Sequence, residues 1–267
     1  KNKLNLQKEI SKENLISFVP TMGGLHKGHL TLIKKAKKYK CKICVSIFVN
    51  LNQFDNKSEY LKYPRNLRSD IKELKKLKIN YLYIPSYKDI YSFKVKNKIY
   101  LNKFSKHLCG KFRKGHFEGV LNVVNRFLEI IKPKYIFLGQ KDLQQLILID
   151  HHILKNSIKC KVIRCKTIRE KNGIACSTRN SNLNNAQLLI ASNIFRYLSK
   201  LKKKIKFNYK FFKVNIVKKD LISLGATKID YIENIDLDSL KKVKKNKKKF
   251  KLFIAYYLNQ IRLIDNI

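Results

Sequence analysis

Tryptophan is absent from this 267-residue chain, and glycine (9), proline (4) and acidic residues (18) are scarce. So little Gly and Pro excludes collagen-like and Pro-rich linker architectures. No apolar run approaches the roughly 20 residues of a membrane-spanning helix, so no membrane partner is expected. No secretory signal is visible, and a cytoplasmic location is expected. The chain starts at Lys1 without a Met, so a few missing N-terminal residues are expected. The shortage of acid has the largest consequence. Against 18 Asp and Glu stand 60 Lys and Arg, a formal net charge of +42. Only nine of the 60 are Arg. A surface selected for nucleic acid draws on Arg for bidentate contacts. Lys is instead spread along the whole chain, with Asn and Ile abundant, which reads as drift toward AT-rich codons. No specific nucleic-acid partner is expected, although a field of this sign attracts anions. A hydrophobic fraction of 44% is too high for a disordered basic tail. The length suits one large domain or two smaller ones.

The six cysteines offer no metal framework. Cys41 and Cys44 have the spacing of a zinc or redox pair, but no second pair follows. They also run into a strand-like segment, where residues three apart face opposite ways. Reduced cysteines of a cytosolic core are expected, and no protein-held metal cluster.

Short apolar runs alternate with amphipathic Lys-rich stretches. Strands are predicted at 16–19, 43–49, 80–84, 135–138 and 161–165. Helices are predicted at about 28–39, 66–77, 119–131 and 142–154, with Leu67, Ile71, Leu74 and Leu77 forming one apolar stripe. This alternation means βαβ units and a parallel sheet. After about Thr167 the texture changes: a polar segment, a helix at 186–201, and a final apolar run at 250–258. The expected boundary therefore divides residues 1–167 from a smaller α+β domain at 168–267. The Lys runs 202–204 and 244–249 read as solvated faces or loops.

Ligands of such sheets bind at the carboxyl ends of the strands, near the topological switch point. The first strand ends in Pro20-Thr21-Met22-Gly23-Gly24-Leu25-His26-Lys27-Gly28-His29. Paired Gly lets the backbone approach a ligand, and a helix start offers free N–H groups to phosphate. His26 and His29 can reach the same polyphosphate. The form is His-x-Gly-His, the nucleotide-binding signature of class I nucleotidyl-transferring enzymes, and not a Walker loop. After the second strand, Asn50 and Gln53 can fix a hydroxyl- or carboxylate-bearing substrate. After the fourth comes Gly139-Gln140-Lys141-Asp142, with Gln145 one helical turn on. Lys141 suits a phosphate and Asp142 a ribose or metal. After the fifth, Cys176-Ser177-Thr178-Arg179 sets hydroxyls beside an Arg, a phosphate clamp.

Together these motifs resemble the pantothenate synthetase (pantoate–β-alanine ligase) family over nearly the whole chain. Further matching pieces are Tyr63-Pro64-Arg65, Gly115-His116-Phe117-x-Gly119-Val120 and Arg262-Leu263-Ile264-Asp265-Asn266. The resemblance implies a Rossmann-like parallel sheet of the class I nucleotidyltransferase type, an ATP- and pantoate-binding domain, with the α+β domain as a lid. It implies a homodimer, ATP with Mg²⁺, and a pantoyl adenylate that β-alanine converts to pantothenate and AMP. It assigns His26, His29, Lys141, Ser177 and Arg179 to the triphosphate, with His29 as proton donor. It extends nucleotide contact to Met22, Gly23, Gly24, Leu25, Lys27, Gly28, Gly139, Gln140, Asp142, Ile168, Cys176 and Thr178. Gln53 and Gln145 bind pantoate, and Gln53 also reaches β-alanine. Five positions depart from the family pattern: Leu51 for Pro, Gln140 for Glu, Cys176 for Met or Leu, Thr178 for Ser and Lys114 for Pro. Leu51 frees a φ angle that Pro would fix. Two other readings share part of this pattern: another class I nucleotidyltransferase, and a basic nucleic-acid-binding protein.

Overall fold

A computed structural model describes residues 3–13, 15–246 and 249–267. The chain divides into two compact units, Lys1–Thr167 and Ile168–Ile267. In the first, five short apolar segments form a parallel sheet: β1 (Ile16–Thr21), β2 (Lys42–Ile47), β3 (Tyr81–Tyr83), β4 (Tyr135–Gly139) and β5 (Lys161–Cys165). Its order is β3-β2-β1-β4-β5. Strands β1 to β3 are laid outward one way and β4 to β5 the other, so the switch point lies between β1 and β4. The pairing of β1 with β4 stops at Phe18 and Ile136. Pro20, two residues on, has no N–H for a ladder. The carboxyl ends of β1 and β4 are thus left unpaired with each other where a ligand crevice belongs.

Among the described residues, eight helices connect or flank these strands: α1 (Lys3–Ile10), α2 (Lys27–Ala36), α3 (Lys57–Lys62), α4 (Leu67–Lys76), α5 (Tyr87–Tyr91), α6 (Cys109–Phe112), α7 (His116–Ile131) and α8 (Leu143–Lys155). Helix α7 is apolar on most sides and buried along almost its whole length. The stripe predicted on α4 is rotated. Leu74 is buried, Leu67 is 42% exposed, and Asp70 goes inward at 3%. The short helices α1, α3, α5 and α6 were not predicted. At four to eight residues in total length, their periodicity is too brief to read.

The second unit contains α9 (Asn185–Phe207), α10 (Val214–Ser223) and an antiparallel sheet of β6 (Lys228–Asp236), β7 (Phe250–Leu258) and β8 (Ile261–Asn266) in that order. Leu198, Leu201 and Ile205 of α9 and Val217 and Leu221 of α10 share a core with Leu252, Ile254 and Tyr256 of β7. Helix α9 runs six residues past its predicted end. The Lys202–Lys204 run is its solvated face, because Leu201 and Ile205 on either side are buried. Two residues of the 244–249 run, 247 and 248, lie outside the described residues. No helix among the described residues is long and apolar enough to cross a membrane. All six cysteines are free, and five are buried. Burial pushes the Cys44 thiol up to about 12, which keeps it protonated and inert.

Candidate active site

The turn after β1 is bent by Gly23 (φ +81°) and Gly24 (φ +60°), left-handed positions that a side chain would strain. Asp70 lies beneath it. Its Oδ2 accepts from Gly24 N–H at 2.9 Å and its Oδ1 from Leu25 N–H at 2.8 Å. His26 caps α2: its Nδ1 accepts from Gly28 N–H at 3.1 Å, while His29 Nδ1 accepts from His26 N–H at 3.3 Å. The two rings stand 4.0 Å apart between centroids. The His-x-Gly-His motif is therefore a capping box, with imidazoles in the place of the usual hydroxyl and carboxylate.

This corrects the expectation of free N–H groups at the helix start. The amides of Gly24, Leu25, His26 and Gly28 are already hydrogen-bonded inside the turn. A ring nitrogen that accepts carries no proton, so the neutral form of each His bears its hydrogen on Nε2. The donors the turn still offers are then side-chain groups, the two Nε2–H, rather than these four amides. Burial, and next the neighbouring His26, push His29 down to about 3; Asp142 opposes this and Lys141 adds to it. In the ligand-free protein His29 is a neutral imidazole at ordinary pH.

Lys141 and Asp142 sit in the turn that leaves β4, across the switch point. Lys141 Nζ is 3.3 Å from Asp142 Oδ1, the Lys largely buried and the carboxylate 46% exposed. The influence of both on His29 places them beside α2's first turn. Gln144 and Gln145 part company on α8. Gln144 is buried and structural, donating to the carbonyls of Phe104 and His107 and accepting from Cys109 N–H. Gln145 is half-buried, and its amide has no partner among the described residues.

At the end of β2, Asn50 is 1% exposed. It donates to Gln53 Oε1 at 3.3 Å and to the Gly119 carbonyl at 3.2 Å. Gln53 donates to Met22 Sδ at 3.0 Å, linking this turn to that after β1. Helix α7 comes so close that a Cβ on Gly119 would lie 2.0 Å from the Asn52 carbonyl oxygen. Two residues without an assigned role hold Gln53 from behind. His116 Nδ1 donates to the Gln53 carbonyl at 2.7 Å, and Arg113 Nη2 reaches it at 3.3 Å. Arg113 is itself fixed by Asp55 at 2.8 Å and Glu59 at 3.2 Å. Sequence reasoning passed over Arg113, and also Asp70. Each carried a signal: an Arg where nearly every cation is Lys, and an Asp within the apolar stripe of α4.

The remaining predicted residues belong to the second unit. Ser177 caps a short turn, Thr178–Asn182, by accepting from Arg179 N–H at 3.3 Å. The carbonyl of Ile168 accepts from Cys176 N–H at 2.9 Å, and the buried Cys176 thiol donates to Glu170 at 3.1 Å. Arg169 binds Asp265 at 2.7 and 3.0 Å, and Arg262 binds Asp230 at 2.8 Å. The Arg262–Asn266 motif is thus architecture of this unit. Among the described residues no group of three His, Cys, Asp or Glu could hold a metal ion. A lone exposed carboxylate such as Asp142 fits a Mg²⁺ ion that arrives with phosphate ligands of its own.

The family model of pantoate–beta-alanine ligase matches residues 1–267. The pantothenate synthetase of Pseudothermotoga lettingae is 39% identical, over 97% of this chain and 93% of its own. That of Thermosipho africanus is 36% identical, over 99% and 98%. Two crystal structures superpose along the full chain. One is a pantoate–beta-alanine ligase from Francisella tularensis complexed with beta-gamma ATP and beta-alanine (TM-score 0.84, 36% identity, 95% of that chain). The other is pantothenate synthetase from Thermus thermophilus (TM-score 0.92, 26% identity, 97% of that chain).

Proposed function

The chain belongs to the pantoate–β-alanine ligase family and is an enzyme that forms pantothenate; from that premise we propose that it works through a pantoyl adenylate built at the β1–β4 switch point. A pantoate carboxylate oxygen attacks the α-phosphorus of ATP, and the bond to pyrophosphate breaks. The β-alanine amine then attacks the acyl carbon, an amide C–N bond forms, the acyl–oxygen bond breaks and AMP leaves. The amine's surplus proton passes to solvent.

One observation carries this reading: two imidazoles pre-oriented by the cap of α2 and a Lys meet at the switch point, where the strand order of the parallel sheet reverses. His26 and His29 offer Nε2–H donors to the triphosphate, and Lys141 supplies a fixed positive charge. Donors set in place before the reaction stabilise charge that develops on phosphoryl oxygens. A bound triphosphate raises the proton affinity of both rings, the direction in which a proton donor must move. Gln53, held from behind, and Gln145, whose amide is unengaged, are assigned to pantoate, and Gln53 also to β-alanine. Ser177 and Arg179 of the second unit are assigned to the triphosphate, and that unit to the role of lid, which keeps water from the adenylate. Asp142 is the carboxylate that would meet a Mg²⁺ arriving with the triphosphate, and such an ion would neutralise phosphate charge. The beta-gamma ATP and beta-alanine of the Francisella tularensis relative support the substrate assignment. The family supports a homodimer, and five buried thiols without a disulfide support a cytoplasmic location.

The test is AMP release with each substrate omitted in turn, beside pantoate-dependent exchange of pyrophosphate into ATP. Exchange that needs pantoate but not β-alanine is the expected result. Exchange that ignores pantoate would sink the adenylate route.

A further inference from the structure

We propose that Asp70 is a positioning residue of the nucleotide site, acting on the backbone of the turn after β1 rather than on a metal ion. A carboxylate beside a triphosphate site invites the opposite assignment, since its charge repels phosphate unless a cation lies between. Its geometry points elsewhere. Asp70 is 3% exposed, and its two oxygens take separate backbone donors, Gly24 N–H at 2.9 Å and Leu25 N–H at 2.8 Å. No Lys or Arg ion-pairs with it among the described residues, although the chain carries 60 of them. Its hydrogen-bonding capacity is taken up by the turn itself, one backbone N–H to each oxygen.

The contact is also close. A Cβ on Gly23 would lie 3.0 Å from Asp70 Oδ2, so the carboxylate fills the space a side chain there would occupy. Leu25 directly precedes His26. The N–H of His26 fixes the ring of His29, and the ring of His26 caps Gly28. Asp70 thus anchors the first member of a chain of contacts ending at both imidazoles. α4 delivers the side chain rigidly, since Asn66 caps that helix one turn earlier. Asp70 touches no substrate in this scheme; it sets where the two Nε2–H donors stand. The inference rests on the reading that those donors bind the triphosphate.

The test pairs Asp70→Asn, which keeps shape and one acceptor, with hydrogen exchange on the unsubstituted enzyme. In the free enzyme the amides of Gly24 and Leu25 should exchange at least about tenfold more slowly than unprotected amides, with or without Mg²⁺. In D70N, which keeps a single acceptor, one of the two amides should lose protection. The KM for ATP should rise about tenfold, roughly what one lost buried hydrogen bond costs. The KM for β-alanine should move less than twofold, and the Mg²⁺ concentration giving half-maximal rate should stay put. Unprotected Gly24 and Leu25 amides in the free enzyme would overturn the proposal even if D70N failed to fold. So would a D70N enzyme whose activity returns on raising Mg²⁺ or adding Mn²⁺, which marks a metal ligand. His29→Ala serves as the separate control: if that variant is fully active, the reading of the imidazoles fails, whatever D70N does.

Discussion

Asp70 in the first unit and Asp230 and Asp265 in the second are all largely buried, but their partners differ in kind. Asp70 is satisfied by two backbone N–H groups of the turn after β1. Asp230 and Asp265 are satisfied by the guanidinium groups of Arg262 and Arg169. In the second unit the pairs tie strand β8 to β6 and to the segment after Thr167, and the Arg169 guanidinium also lies 4.4 Å from the centre of the Phe195 ring. In the first unit the charge shapes the turn to which the proposed function assigns the triphosphate. An Arg at that point would fill the crevice with a permanent cation on a long arm. Backbone donors satisfy the carboxylate without occupying the site. A chain rich in Lys thus uses several of its scarce acids and Arg for fixed geometry.

The contrast can be broken by rate first and by stability second. His29→Ala and Lys141→Ala should each lower pantoate-dependent ATP–pyrophosphate exchange by about 100–1000-fold. The global unfolding midpoint should change little for K141A, and H29A should lose only the roughly 1 kcal/mol of a helix cap. Wild-type exchange in either variant would remove the first unit's claim to the chemistry. Arg169→Ala should do the reverse. It strands a carboxylate that is 12% exposed, at a cost of about 3 kcal/mol. Hydrogen exchange in β8 and the 169–175 segment should quicken, while amides of β1 and α2 stay protected. Equal loosening of both units would erase the distinction.

Much of this was legible beforehand, for identifiable reasons. The parallel sheet follows from apolar runs such as Ile16–Val19 and Tyr135–Leu138, whose two buried faces leave no other reading. Lys141 follows from its place after a strand. What stayed hidden lies across sequence distance. Asp70 acts on residues 45 and 46 positions earlier, and Arg113 on a carbonyl 60 positions earlier. Single-chain periodicity carries no term for such pairs. The capping role of the two His was hidden differently. Imidazole is not a usual N-cap side chain, so the motif suggested open amides where the structure has closed ones.

The pH dependence of stability sharpens the same point at smaller scale. His29 titrates at an ordinary 6.5 when unfolded and near 3 when folded. Between those values the unfolded chain binds a proton that the folded chain does not. Stability should therefore fall as pH falls from about 6.5 toward 3, by at most about 1.4 kcal/mol per pH unit from this residue. Burial lowers His152 as well, in the same direction. Unfolding free energies from urea titrations at pH 7 and pH 5 should differ less in His29→Gln than in the unsubstituted protein, by up to about 2 kcal/mol. Equal slopes for the two proteins would mean that His29 is not held neutral.

The smallest expected effect concerns the turn that carries Gln53. Leu51 stands where the family pattern has Pro, yet Asn50, the Gly119 approach, Arg113 and His116 all hold the turn. Asn50 is extended, at φ −86° and ψ 111°, the conformation a following Pro demands. Leu51 opens the turn, where a missing N–H is tolerated, and its side chain is 43% exposed. Leu51→Pro should therefore stabilise the protein by about 0.4–1 kcal/mol, by restricting the unfolded chain. The KM values for pantoate and β-alanine should stay within twofold, because the folded turn is already fixed. Thermal unfolding and steady-state kinetics on this one variant separate the two contributions. A tenfold fall in either KM would show that the surrounding contacts leave Gln53 loose, and that Pro does in the family what Arg113 and His116 do not accomplish here.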